Sequence, residues 1–126
     1  MIKGIGVDLV HIDRLERWVN DPGLVSRFFH PLEIEDCRRP EGLWAPSLAA
    51  RFAAKEALGK ALGSGLAGLK LSEIQVSKNR QGKPSIQVHG STAQVIQDLG
   101  ISEIFLSLSH DKDIATAFVV LEGHNV

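Results

Sequence analysis

From Ile2 to Val10 the side chains alternate, with Ile5, Val7 and Leu9 on one face of a predicted strand and Gly4, Gly6 and Asp8 on the other. Glycine inside a strand weakens it unless backbone or a ligand must come near. Asp8 is therefore expected to project from the less crowded face, close to the strand's end. The period then lengthens: Ile12, Leu15, Trp18 and Val19 recur at helical spacing, with Arg14 and Arg17 towards the polar side. Asn20-Asp21-Pro22-Gly23 is expected to end that helix. Val25 to Phe29 forms a short amphipathic piece, and Pro31 opens an acidic helix over Leu32 to Arg39.

A longer helix, rich in alanine and leucine and free of β-branched residues and proline, spans Leu48 to Leu62. Ser47 is its expected cap and Gly63 its stop. Ala50, Ala53, Ala54, Ala57 and Ala61 fall on one side, a small-residue face suited to close packing. Glu56 and Lys60 share another face, and Arg51 with Lys55 makes a second pair four apart. Gly59, in the helix interior, costs roughly 1 kcal/mol relative to alanine and so marks a close approach. The exit, Gly63-Ser64-Gly65, is flexible backbone able to wrap a ligand.

Leu69, Leu71, Ile74 and Val76 predict a strand whose phase slips near Ser72-Glu73, and Ile86 and Val88 alternate on its return after the Asn79 to Pro84 turn. Ser91 is expected to cap a helix closed by Gly100. Ile104, Leu106 and Leu108 line one face of a further strand. Ile114 to Leu121 is apolar enough to be expected buried on both faces. The order strand, helices, hairpin, helix, hairpin predicts an α+β domain: a mostly antiparallel sheet packed against a long central helix. Residues 1–122 are assigned to one domain and 123–126 to a frayed tail.

Composition narrows the class. A chain of 126 residues, 44% hydrophobic and 23% charged, supports one core. Its formal charge of −1 gives no reason to expect nucleic acid as a partner. No apolar run approaches the roughly 20 residues that cross a bilayer, and nothing resembles a signal peptide. The single Cys37 allows no internal disulfide, so a cytoplasmic setting is expected.

Candidate chemistry concentrates on Asp8, Glu56 and Lys60, with the glycine-rich exit, Lys83 and His110 behind them. If the helix packs beside the strand, two carboxylates meet and need a cation between them. A hard ion such as Mg²⁺ takes one or two protein carboxylates plus water and substrate phosphates, and Lys60 then offers a point charge to a phosphate. Taken alone, Asp8 reads first as a cap or brace for the following helix, and Glu56 with Lys60 as an ordinary ion pair on a solvated helix. The chain has no G-x-S-x-G, H-E-x-x-H, Cys/His zinc spacing or P-loop.

Three stretches carry a resemblance: Gly4-Ile5-Gly6-Val7-Asp8, Arg51 to Gly65, and Gly82-Lys83-Pro84 followed by Ser107-Leu108-Ser109-His110. The chain resembles the holo-acyl-carrier-protein synthases, the short bacterial 4′-phosphopantetheinyl transferases, from Met1 to about Glu122. The resemblance implies transfer of the 4′-phosphopantetheine arm of coenzyme A to a serine of apo acyl carrier protein, with release of adenosine 3′,5′-bisphosphate, for fatty acid biosynthesis. It implies that Asp8 and Glu56 hold Mg²⁺ and that Lys60 stabilises charge at the pyrophosphate. The serine's proton is left between Glu56 and a metal-linked water. Gly63, Ser64 and Gly65 match the loop beside the nucleotide, with serine where threonine is common. Arg51, Lys83, Pro84 and His110 match residues near the nucleotide or its 3′-phosphate. The resemblance also implies carrier docking by Arg14, Arg17 and Arg27, partly offset by Asp13, Glu16 and Asp21, and a homotrimer with coenzyme A bound between neighbours. Two other readings use the same residues: a Mg²⁺-dependent pyrophosphate hydrolase, and a coenzyme A-binding module without chemistry.

Overall fold

The computed structural model describes residues 1–125. Its framework is a three-stranded antiparallel sheet in the order β1 (Ile2–His11), β7 (Ile114–Gly123), β6 (Ile101–His110). The central helix α4 (Ala45–Leu62) crosses one face of it. The approach is set by residue size. A Cβ on Gly4 would run into the carbonyl oxygen of Ala61, and one on Gly6 into that of Ala57. Helix backbone thus lies directly on strand backbone, which only glycine opposite alanine permits. Ala53, Ala54 and Ala57 are fully buried there, and Ala115, Ala117, Val119 and Leu121 of β7 complete the layer.

This reverses one expectation. The glycine face of β1, from which Asp8 projects, is the covered one, whereas Ile5, Val7 and Leu9 stand more than half exposed. Side-chain size misleads here because the glycines are small in order to admit the helix. The expectation for Ile114 to Leu121 is corrected in the same way. Alternate residues are buried against α4, while Phe118 is 44% exposed on the outer face. Val7 lies directly across from Phe118, Ile5 from Val120, and Phe105 of β6 from Val120. One face of the sheet is therefore an apolar surface at the outside of the chain.

Three short helices link β1 to α4: α1 (Ile12–Glu16), α2 (Pro22–Phe28) and α3 (Pro31–Asp36). Asp21, expected in a terminator, instead caps α2 by accepting from the Leu24 amide. α3 starts with a capping box in which His30 Nδ1 accepts from the Leu32 amide and Glu33 from that of His30. It ends before Arg39, because Arg38–Arg39 (β2) pairs with Gly42–Leu43 (β3) in a small hairpin. Ser47 does not cap α4, whose N-cap is Trp44; its hydroxyl accepts from Arg51 and from the Cys37 thiol. Gly63 does end α4, in the left-handed conformation (φ 83°). The phase slip at Ser72-Glu73 is a turn of 3₁₀ helix (Leu71–Glu73) ahead of β4 (Ile74–Lys78), which pairs with β5 (Pro84–Val88). Helix α5 (Gly90–Asp98) is capped from outside: Glu73 accepts from the amide and hydroxyl of Thr92 and of Ser91, so Ser91 donates rather than caps. Strand β7 runs one residue past the expected domain end. Gly123 exchanges hydrogen bonds with Met1, and the His124 amide donates to Gly100, while Val126 of the expected tail lies outside the described residues.

A buried ionic cluster anchors α4 to α3 and β4. Lys55 Nζ lies 2.5 Å from Glu33 Oε1, 2.8 Å from the Leu71 carbonyl oxygen and 2.6 Å from that of Ile74. Glu33 Oε2 accepts from the Val76 amide, and Arg51 Nε donates to the Val76 carbonyl. Glu33 and Lys55 are both wholly enclosed. Burial pushes the Lys55 pKa down while the Glu33 charge opposes the shift. No helix among the described residues is long and apolar enough to cross a membrane.

Candidate active site

The register of β1 against α4 decides which side chains meet. With Gly4 and Gly6 seated on Ala61 and Ala57, the next residue on that face, Asp8, emerges beside the polar flank of α4. There its Oδ1 accepts from Lys60 Nζ at 2.8 Å. Glu56, one turn back from Lys60, is half-buried, and its pKa is raised first by desolvation and then by the charge of Asp8, with Arg14 and Lys60 opposing. The two carboxylates thus share one electrostatic neighbourhood, and Asp8 with Lys60, Val7 and Leu9 lines a cavity of about 300 Å³. The predicted trio of Asp8, Glu56 and Lys60 converges within a single chain.

The arrangement fits a hard divalent cation on the chemistry of its donors. Two carboxylates that repel one another already require a cation, and Lys60 supplies only one charge. No group of three or more His, Cys, Asp or Glu gathers among the described residues. A site here would take Asp8 and Glu56 as its two protein ligands and leave the remaining positions to water and substrate oxygens, an arrangement that Mg²⁺ accepts.

Gly63, Ser64 and Gly65 leave the same end of α4. The Gly65 amide donates to the Gly59 carbonyl at 3.0 Å, and a Cβ on Gly59 would sit 2.7 Å from Gly65 backbone. That is the close approach the interior glycine predicts. Arg51 is enclosed, its guanidinium held by Val76, Ser47 and, at 3.5 Å, Asp36. It nevertheless lines a cavity of about 270 Å³ with Asp36, Arg39, Trp44, Ser47 and Lys78. His110, at the end of β6, lines another of about 320 Å³ with Ile12, Trp44, Pro46, Asp111 and Lys112. Lys83 and Pro84 lie on the β4–β5 hairpin, where Asn79 Oδ1 accepts from the Lys83 amide. None of these residues lines the Asp8 cavity: Arg51 lies nearer the start of α4 than Lys60, and Lys83, Pro84 and His110 lie on other elements.

Arg14, Arg17 and Arg27 are all exposed. Only Arg14 is fixed in place: its guanidinium carbon lies 5.5 Å from the Trp18 ring centroid and 5.1 Å from that of Phe52. Sequence reasoning missed Trp44, which lines both of these cavities and carries Arg39 over its ring at 5.0 Å. An exposed tryptophan just before a helix beginning Ala-Pro was the available signal.

Comparison with known proteins identifies the family and the fold. Residues 4–119 match the family model of the 4′-phosphopantetheinyl transferase superfamily. A holo-[acyl-carrier-protein] synthase of Treponema denticola is 47% identical over 123 residues, covering 98% of this chain and 100% of that one. Among solved structures, the holo-[acyl-carrier-protein] synthase of Neisseria meningitidis superposes with a TM-score of 0.84 at 34% identity, covering 97% and 99% of the two chains. That of Helicobacter pylori, solved in complex with coenzyme A, does so with a TM-score of 0.80 at 33% identity, covering 94% and 99%. The chain belongs to the 4′-phosphopantetheinyl transferase superfamily, in its holo-[acyl-carrier-protein] synthase family.

Proposed function

We propose that this chain transfers the 4′-phosphopantetheine arm of coenzyme A to a serine of apo acyl carrier protein, releasing adenosine 3′,5′-bisphosphate, in the service of fatty acid biosynthesis. The observation that carries this reading is the meeting of Asp8, Glu56 and Lys60 where β1 crosses α4. In the reaction the serine oxygen bonds to the β-phosphorus and the bond from that phosphorus to the bridging oxygen breaks. The serine loses its proton and the nucleotide departs with the bridging oxygen. Negative charge grows on the pyrophosphate oxygens, and fixed positive charge there lowers the barrier. Asp8 and Glu56 would hold Mg²⁺, which when bound supplies Lewis-acid stabilisation of the pyrophosphate. Lys60 adds a mobile ammonium on the leaving side. The serine's proton would pass to Glu56 or to a water beside it.

The Gly63-Ser64-Gly65 exit offers backbone and a hydroxyl to the nucleotide, and Arg51, Lys83, Pro84 and His110 are assigned to its adenosine and 3′-phosphate. The outer sheet face formed by Ile5, Val7, Leu9, Phe105 and Phe118 supports self-association. A homotrimer would bring elements remote from Asp8 in one chain next to the Asp8 of a neighbour. Arg14, Arg17 and Arg27 lie on α1, the turn after it and α2, and suit an acidic carrier. The lone buried thiol of Cys37 is compatible with a reducing cytoplasm.

The test is incubation of apo carrier with coenzyme A, with and without Mg²⁺, read by intact mass. The carrier should gain the phosphopantetheine mass only when the metal is present. Asp8→Ala and Glu56→Ala should each abolish that gain, and full activity in either variant refutes the assignment. Hydrolysis of coenzyme A without a carrier would favour a hydrolase.

A further inference from the structure

The ion pair at the centre of the site has a consequence for the order in which its charges are used. Lys60 Nζ sits 2.8 Å from Asp8 Oδ1, with side-chain exposures of 57% and 16%. A divalent cation at this site would draw on the same carboxylate, whose charge the ammonium already engages. Resting on the reading that Asp8 and Glu56 hold a divalent ion, we propose that Lys60 and that ion are alternative partners of Asp8. Lys60 keeps the paired carboxylates together beforehand and is released towards substrate phosphate when the ion binds.

Three physical facts support the exchange. A divalent ion on the Asp8 carboxylate and an ammonium 2.8 Å from its Oδ1 would be cations within a few ångströms of each other, and their repulsion weakens the ammonium's hold once the ion is bound. An ion pair this exposed is weak and gives way cheaply. Lysine carries its charge on a flexible four-carbon stem with three donors, so the ammonium can leave one oxygen and find another. Its position one turn from Glu56 keeps the released charge at the site, where a phosphate is its natural partner.

The two roles have opposite signs. Lys60 should oppose the metal when coenzyme A is absent and favour it when phosphate is there to receive the ammonium. By linkage, metal and coenzyme A should then strengthen each other through Lys60.

The test is Mn²⁺ binding, followed by the loss of the free-ion electron paramagnetic resonance signal, on the full chain and on Lys60→Met and Lys60→Arg. Mn²⁺ serves as the probe because it shares the preference of Mg²⁺ for oxygen ligands. Without coenzyme A, Lys60→Met should bind Mn²⁺ roughly three- to tenfold more tightly than the native chain, and Lys60→Arg should stay near the native value. With saturating coenzyme A the native chain should gain more Mn²⁺ affinity than Lys60→Met does. Equal or weaker Mn²⁺ binding by Lys60→Met in the absence of coenzyme A overturns the exchange, and equal gains with coenzyme A overturn the release towards phosphate. Asp8→Asn separates the two layers of argument. If it binds Mn²⁺ as the native chain does, the metal assignment itself fails.

Discussion

Substituting Gly6→Ala puts the contact between strand and helix to a direct test, because that contact brings Asp8 to Glu56 and Lys60. A methyl group at this position would run into the carbonyl oxygen of Ala57 and lie 2.7 Å from the amide nitrogen of Ala61. Both obstacles are helix backbone, so no side-chain rotation relieves them. Restoring a contact near 3.5 Å with the Ala57 oxygen requires β1 and α4 to part by roughly 1.4 Å. Overpacking of this kind costs about 1–3 kcal/mol, of which the lower chain entropy of alanine in the unfolded state returns about 0.4–1 kcal/mol. The variant should therefore stay folded, since a domain has about 5–15 kcal/mol in hand. Activity should suffer more than stability. Asp8 follows Gly6 by two residues on the same face, so the displacement reaches the reacting groups, and a misplacement of about 1 Å costs on the order of 100-fold in rate. Stability is read from urea unfolding and rate from the mass gain of the apo carrier. Ile96→Val serves as a control: it trims a buried residue of α5, away from the site, at about 0.5–1.5 kcal/mol and should leave the rate unchanged. A Gly6→Ala variant that transfers phosphopantetheine within twofold of the native rate would refute the idea that this contact positions the site.

Glu33→Ala should destabilise the chain by about 3–5 kcal/mol in urea unfolding, because it leaves the Lys55 ammonium enclosed without its counter-ion. Adding Lys55→Met should recover part of that loss, and additive losses would contradict the pairing. The Glu73 pKa is lowered to about 2 from 4.5, chiefly by the Thr92 hydroxyl and amide, so its stabilising contribution is present above about pH 4.5 and is lost as pH falls towards 2. Glu73→Gln should thus lower the thermal midpoint at pH 7, and its deficit should shrink by pH 3; a deficit independent of pH would refute this. Phe118→Glu places a charge on the outer sheet face opposite Val7. It should reduce the sedimenting mass to that of one chain and abolish transfer, and a fully active monomer would remove the need for neighbours at the site.

Much of the architecture was legible because it rests on local rules. The end of α4 at Gly63, the β4–β5 hairpin and the β6–β7 pair all follow from periodicity and turn residues, whereas α4 starts at Ala45, ahead of the expected Leu48, because Pro46 fits its first turn. The trio at the site was legible because its members belong to two strongly patterned elements, and because chance produces a matching strand motif and helix motif together only rarely. Non-local partners were not legible. Ser47 and Ser91 have the residue type of a cap, but their hydroxyls are engaged by Arg51 and Glu73, which arrive from one turn ahead and from another element. The Arg51–Lys55 spacing looks like a surface pattern on α4, and only the arrival of Glu33 from α3 turns it into an enclosed cluster.

The reversed face of β1 has the most to say about function. Alternation alone assigns the larger apolar side chains to the core, which would turn Ile5, Val7 and Leu9 inwards and leave Asp8 on an open glycine surface. In the folded chain the glycines are the inward residues, because α4 lies too near for any other side chain. Asp8 is thereby carried to the helix flank, and three apolar residues of β1 are turned out beside Phe118 and Phe105. A chain that only needed a stable core would gain by placing polar residues at these outward positions. Both the placement of Asp8 beside Lys60 and the apolar outer face of the sheet are thus consequences of the same two glycines. A substitution at either glycine should disturb transfer and self-association together, whereas Phe118→Glu should leave the Asp8–Lys60 contact intact and act only through assembly.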